Sequence, residues 1–202
     1  MKWILASASP RRRELLTQVG LEFEVVVSDA DENIKESLSP DELVKRLSLI
    51  KATAVRDRGT VLLSREPVTE EPSPCHPCGI IGADTIVYHE GVVLGKPKSK
   101  EDAFRMLRSL SGATHSVFTG VTILLPEETI CFHNETKVTF DTLSDEEIIR
   151  YIESGEPMDK AGAYGIQGLG GAFVTSIEGE YANVVGFPIG EFCHILRERK
   201  LL

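Results

Sequence analysis

Within its first twenty residues the chain passes from a short apolar strand straight into a capped helix, and this constrains the fold more than any other feature. Trp3-Ile4-Leu5-Ala6 reads as a buried strand, and Glu14-Leu15-Leu16-Thr17-Gln18-Val19 as the body of an amphipathic helix closed by Gly20. Ser9 between them is a good N-cap, and Pro10 suits the first helical position, where its missing N–H costs nothing. Arg11, Arg12 and Arg13 fill the first turn, where cations oppose the helix dipole. A strand, a tight turn and a helix N-terminus present unpaired backbone N–H groups. Guanidinium groups added there make a site for a polyphosphate, the alternative being a solvated basic turn.

Strand and helix patterns alternate along the rest of the chain, giving an α/β class. A second strand is expected over residues 24–28, with three consecutive valines. Ser39, Pro40 and Glu42 open a helix as N-cap, first residue and capping-box partner, and Leu43, Leu47, Ile50 and Ala54 give it one apolar face. Residues 59–79 hold Pro67, Pro72, Pro74 and Pro77 among several glutamates and read as an exposed inserted loop. An apolar strand with Gly82-Ala83-Asp84-Thr85 at its end continues through Ile86-Val87-Tyr88 to a hairpin at Glu90-Gly91. Ser99 caps a helix with Ala103, Leu107 and Leu110 inside. Residues 116–125 and 129–140 read as paired antiparallel strands, and Ser144 with Glu147 makes a second capping box. A glycine-rich stretch (160–171), two short strands (173–177 and 183–185) and a closing helix from about 189 to 199 complete the chain. Hairpin-linked strands beside helix-linked ones imply a mixed sheet.

The length of 202 residues and 42% apolar content suit one domain, or two small lobes, with a real core. A net charge of −9 argues against general binding to a nucleic-acid polymer or an anionic membrane. An anionic ligand then needs a local cationic cluster, a divalent metal, or both. No segment has the apolar length of a membrane helix, and the N-terminus lacks the pattern of a signal peptide. Four scattered cysteines point to a reducing, cytoplasmic setting. Cys75-His76-Pro77-Cys78 has no second pair at zinc-ligand spacing.

Several residues carry candidate chemistry. Asp84 follows a strongly apolar strand, so its carboxylate is either a turn or cap acceptor, or a metal ligand or general base. Glu32 lies in an acidic run with Asp29 and Asp31, and is either solvated or, with Asp84, half of the carboxylate pair that a nucleotide-bound magnesium ion takes. Lys51, four residues after Leu47, borders the apolar helix face and either snorkels or reaches a phosphate. Lys96, between Gly95 and Pro97, shares that ambiguity. Glycine density over residues 160–171 suits positive φ or close passage to a ligand. The Gln167 amide sets a donor beside an acceptor, matching the imide edge of uracil or thymine. His115 is expected to be structural.

Ser7-Ala8-Ser9-Pro10-Arg11-Arg12, Gly82-Ala83-Asp84-Thr85, Gly95-Lys96-Pro97, His115-Ser116-Val117-Phe118-Thr119-Gly120, residues 159–168 and Asn183-Val184-Val185-Gly186-Phe187-Pro188 occur in this order over nearly the whole chain. Together they resemble the Maf family of nucleotide pyrophosphatases. The resemblance implies a single Maf-like domain over residues 1–202, with a long, curved mixed sheet and two lobes around a cleft, similar to the inosine-triphosphate pyrophosphatases. It also implies hydrolysis of a nucleoside triphosphate to its monophosphate and pyrophosphate with Mg²⁺, or another divalent cation such as Mn²⁺. The wording of residues 159–168 looks like the dTTP/UTP branch. By motif match Asp84 is the proton acceptor and Arg12, Thr85 and Gln167 tune base specificity. Glu32, Lys51 and Lys96 complete the metal and phosphate site with Arg11 beside them, and Ser9 belongs to the same binding turn. Family members often dimerise, so a homodimer is an expectation. The alternatives are a pyrophosphatase for another base, such as 7-methylguanosine triphosphate, and a low-turnover nucleotide-binding regulator. The proline-rich stretch 59–79 is longer than the usual connection in this family.

Overall fold

The computed structural model describes residues 2–34, 36–63 and 78–202. In chain order the elements are β1 (Lys2–Leu5), α1 (Pro10–Gln18), β2 (Phe23–Val25), α2 (Pro40–Leu63), β3 (Cys78–His89), β4 (Val92–Leu94), α3 (Lys100–Leu110), β5 (Thr114–Leu124), β6 (Thr129–Phe140), α4 (Asp145–Glu153), β7 (Val174–Glu178), α5 (Tyr181–Val185) and α6 (Ile189–Glu198). Three short 3-10 turns, at Glu156–Asp159, Ala161–Ala163 and Leu169–Phe173, fill the glycine-rich region. The described strands form one mixed sheet in the order β2-β1-β3-β5-β6-β7, with β4 on β3. β1 runs parallel to β2 and β3, whereas β3/β4 and β6/β7 are antiparallel. No helix among the described residues is long and apolar enough to cross a membrane.

The chain divides into two compact units, one of residues 1–84, 120–133 and 189–202, the other of 85–119 and 134–188. In the first, α2 lies against β3 and β5. An added Cβ at Gly82 would sit 2.2 Å from the Ser48 carbonyl oxygen, and one at Gly120 would sit 2.3 Å from the Val44 carbonyl. Only glycine permits this approach of helix to sheet. Ser48, fully buried, shares a 2.8 Å hydrogen bond with Thr122 of β5. In the second, Leu107 and Leu110 of α3 meet Ile148, Tyr151 and Ile152 of α4 over Phe140 and Tyr164. Each such fully buried aliphatic side chain contributes about 1.5–3 kcal/mol.

Local signals placed most elements. The caps Ser9, Ser99 and Ser144 accept from the backbone N–H three residues on, and Glu147 completes its capping box. Glu42 reaches back to the Ser39 N–H at 3.2 Å. Glu90 and Gly91, both at positive φ, make the β3/β4 turn.

Five expectations need correction. The second strand is only three residues long and starts earlier, because it pairs with β1 alone on the sheet edge, leaving Val25 and Val27 exposed. The buried face of α2 is Val44, Leu47, Ser48, Ala52 and Val55, not Leu43, Ile50 and Ala54, because small residues must face the two glycines. That helix also runs through Gly59 to Leu63, since one glycine costs it only about 1 kcal/mol. The expected loop 59–79 is therefore helical at its start and in β3 at its end, while Cys75 and the proline cluster lie outside the described residues. Asp84 sits mid-strand in β3. Residues 183–185 are helical in α5, because the fully buried Asn183 side chain donates to Val117 O (2.9 Å) and Thr136 Oγ1 (3.1 Å), overriding the strand preference of the two valines.

Candidate active site

The first unit gathers a cluster of opposite charges. β1 delivers Ser7 at its C-terminal end, where the Ala6 N–H still pairs with the Ile81 carbonyl of β3 (2.8 Å). Ser9 then turns the chain as N-cap, and the first turn of α1 carries Arg12 back over Ser7, its Nη1 donating to Ser7 Oγ at 3.1 Å. Arg12 is only 9% exposed, an unusual state for a guanidinium. Arg11 is half-buried, and the exposed Arg13 caps the Ala8 carbonyl at 3.3 Å. Burial lowers the Arg12 guanidinium below its ordinary value. Asp84 opposes that effect, Arg11 adds to it, and Glu32 again opposes it. Arginine nonetheless remains protonated, so a buried positive charge stands beside two carboxylates.

Period-two alternation explains where Asp84 points. It shares a sheet face with Gly82, over which α2 lies, so it meets the helix residue next to Ala52. That residue is Lys51, whose Nζ lies 2.5 Å from Asp84 Oδ1 and 3.3 Å from Glu32 Oε1. The Lys51 and Asp84 side chains are each 14% exposed, whereas Glu32, in the connection after β2, is 50% exposed. The glycine beneath α2 thus sets the height at which lysine and aspartate meet.

Two carboxylates converging on one nitrogen form a donor set that suits a hard divalent cation. Such an ion takes one or two carboxylates and fills its shell with water and phosphate oxygens. No group of three or more His, Cys, Asp or Glu at metal-binding distance occurs among the described residues. The Cys131 thiol lies near Thr122 Oγ1 and the Lys45 carbonyl.

The remaining candidates belong to the second unit. Thr85, on the opposite strand face from Asp84, shares a 2.9 Å hydrogen bond with the buried Thr119 and approaches the Gly186 carbonyl at 3.4 Å. Because the Thr119 hydroxyl donates to the Asn183 carbonyl at 3.1 Å, Thr85 is the donor in the pair. Lys96 is exposed after β4, and the Gly95 carbonyl beside it accepts from Gly162 N–H at 3.1 Å, tying that connection to the glycine-rich segment. Gln167 is exposed at the tip of a turn closed by Gly168 N–H on Gly165 O. His115 is structural as expected. Its Nε2 pairs with the Tyr164 hydroxyl at 2.9 Å, and burial, with a smaller effect of His89, lowers its pKa to about 4.

The arrangement brings together Arg11, Arg12, Lys51, Glu32 and Asp84, three cations against two carboxylates. Sequence reasoning passed over Ser7, Thr119 and Glu156 as individual residues. Ser7 carried a usable signal, since a hydroxyl at the end of a strand five residues before a first-turn arginine is within its reach. Thr119 and Glu156 act through partners remote in sequence.

The family model described as Maf-like protein matches residues 2–199. A Bacillus anthracis (strain CDC 684) protein named dTTP/UTP pyrophosphatase is 45% identical over 197 residues, covering 98% of this chain and 95% of its own length. A protein of the same name from Bacillus cereus (strain B4264) is similar to the same extent. With buried arginine, lysine bridge and strand aspartate all lying inside that match, the chain belongs to the Maf family.

Proposed function

We propose that this protein is a nucleoside triphosphate pyrophosphatase that hydrolyses dTTP and UTP to the monophosphate and pyrophosphate in the cytoplasm. The observation that carries the reading is the Arg12–Lys51–Asp84–Glu32 cluster: cations able to hold a polyphosphate beside a carboxylate able to take a proton from water. The names of the relatives support the choice of pyrimidine.

In this mechanism Arg11, Arg12, Lys51 and Lys96 bind the phosphates and balance charge as it develops on their oxygens. Asp84 accepts a proton as water oxygen attacks the α-phosphorus. The bond from that phosphorus to the α,β-bridging oxygen breaks, and pyrophosphate leaves. Glu32 and Asp84 would hold Mg²⁺, or Mn²⁺, which when bound supplies Lewis-acid neutralisation of phosphate charge. The Lys51 contact to both carboxylates holds them aimed at one point. By motif match Arg12, Thr85 and Gln167 select the base.

A panel of nucleoside triphosphates, with pyrophosphate release as the readout and Mg²⁺ present, tests this. UTP and dTTP are expected to turn over fastest. Preference for guanine nucleotides removes the pyrimidine assignment, and tight binding of dTTP without pyrophosphate release makes the protein a binder.

A further inference from the structure

The glycine-rich loop that carries Gln167 is clamped by one carboxylate and one phenol. Glu156 Oε2 accepts from Leu169 N–H at 2.9 Å, and Oε1 accepts from Gly170 N–H at 3.2 Å and from the Tyr151 hydroxyl at 2.9 Å. The Tyr151 oxygen accepts in turn from Gly165 N–H at 3.0 Å. Both ends of residues 165–170 are thus fixed to a Glu156–Tyr151 pair, with Gln167 left exposed at the tip.

There is no room for side chains between clamp and loop. A Cβ at Gly168 would lie 2.4 Å from Glu156 Oε2, and one at Gly170 would lie 2.7 Å from the Tyr151 oxygen. The Lys160 ammonium donates to the Glu156 carbonyl at 2.9 Å, holding the backbone from which the clamp projects. Burial works against ionising Glu156, yet the Leu169 and Gly170 N–H groups, with Tyr151, hold its carboxyl below the usual range. It is therefore a full acceptor at neutral pH. Three donors on one carboxylate exceed what a solvated loop glutamate makes.

We infer that Glu156 and Tyr151 are positioning residues for base selection, fixing how the Gln167 amide is presented and so the preference for an imide-bearing pyrimidine over an amino-bearing one. This rests on the reading above in which Gln167 recognises the base. Uracil and thymine offer one N–H between two carbonyls. Cytosine offers a ring nitrogen acceptor beside an amino donor, so an amide free to tilt loses the distinction.

Steady-state pyrophosphate release from UTP and from CTP by wild type, Glu156→Gln and Tyr151→Phe tests this. Glutamine keeps the shape but turns an NH₂ toward either the Leu169 N–H or the Gly170 and Tyr151 donors. The UTP-to-CTP ratio of kcat/KM is expected to fall by about tenfold, the worth of one hydrogen bond, in Glu156→Gln. The fall is carried by a higher KM for UTP, and Tyr151→Phe shifts the ratio the same way by less. A merely structural role slows both nucleotides in parallel, and an unchanged ratio in the folded variants overturns the inference. If Glu156→Gln does not fold, the ratio in Tyr151→Phe decides alone. A wild type with no preference for UTP over CTP fails the proposed function itself, and is recognised before any variant is read.

Discussion

A methyl group at residue 82 is expected to disable the charge cluster from behind. It would lie 2.2 Å from the Ser48 carbonyl oxygen and 2.9 Å from the Ala52 backbone nitrogen and Cβ, where ordinary contact begins near 3.4 Å. A backbone carbonyl has no rotamer by which to escape, so α2 must lift from β3 by on the order of 1 Å, overpacking that costs about 1–3 kcal/mol. For a domain of this size the loss lowers Tm by about 2–12 °C. Lys51 neighbours Ala52 on the same helix and holds Asp84 at 2.5 Å. Misplacing a catalytic group by about 1 Å costs roughly a hundredfold in rate. Calorimetry and pyrophosphate release at saturating UTP should therefore show Gly82→Ala both less stable and about a hundredfold slower. Gly95→Ala, whose Cβ meets nothing within 4 Å, should keep its Tm. Wild-type Tm and kcat in Gly82→Ala would refute the idea that this close approach sets the site.

Other outcomes follow from single contacts. Ser7→Ala removes the 3.1 Å acceptor of the buried Arg12 guanidinium. A rise in KM for UTP larger than any fall in kcat is expected, with about 1–3 kcal/mol lost in denaturant unfolding, and an unchanged KM contradicts a role for Arg12 in binding. His115 titrates near 4 when folded and near 6.5 when unfolded, so between those values the unfolded chain binds a proton that the folded chain does not. Its contribution is complete above pH 6.5 and falls by on the order of 3 kcal/mol as the pH drops to 4. The stability of wild type relative to His115→Phe should fall over that range, and a constant offset speaks against it. Chelation with EDTA should stop pyrophosphate release and added Mg²⁺ restore it, whereas a rate untouched by chelation removes Glu32 and Asp84 as metal ligands.

What was legible in the sequence was local chemistry. Ser9 with Pro10, Ser99, and Ser144 with Glu147 announce helix starts because a cap and its donor lie three residues apart, and Gly91 announces a turn because glycine takes its positive φ without strain. The apolar face of α2 was misread because its centre is small and partly polar. Ser48 and Ala52 make sense only once Gly82 and Gly120 are seen opposite them. Val184 and Val185 argued for a strand until the remote partners of Asn183, Val117 and Thr136, decided for helix. In the site, the motif named Arg12, Lys51 and Asp84, but nothing local foretold that one ammonium would touch both Asp84 and Glu32. Glu156 escaped notice because its three donors lie at Tyr151, Leu169 and Gly170.

The most direct measurement is pyrophosphate release from UTP by Asp84→Asn, with nucleotide affinity measured in parallel by calorimetric titration. Loss of at least about a hundredfold in kcat, with affinity within a few fold of wild type, is expected of a carboxylate that takes the proton from attacking water. An asparagine variant that releases pyrophosphate at the wild-type rate would contradict the assignment of this cluster as the hydrolytic site.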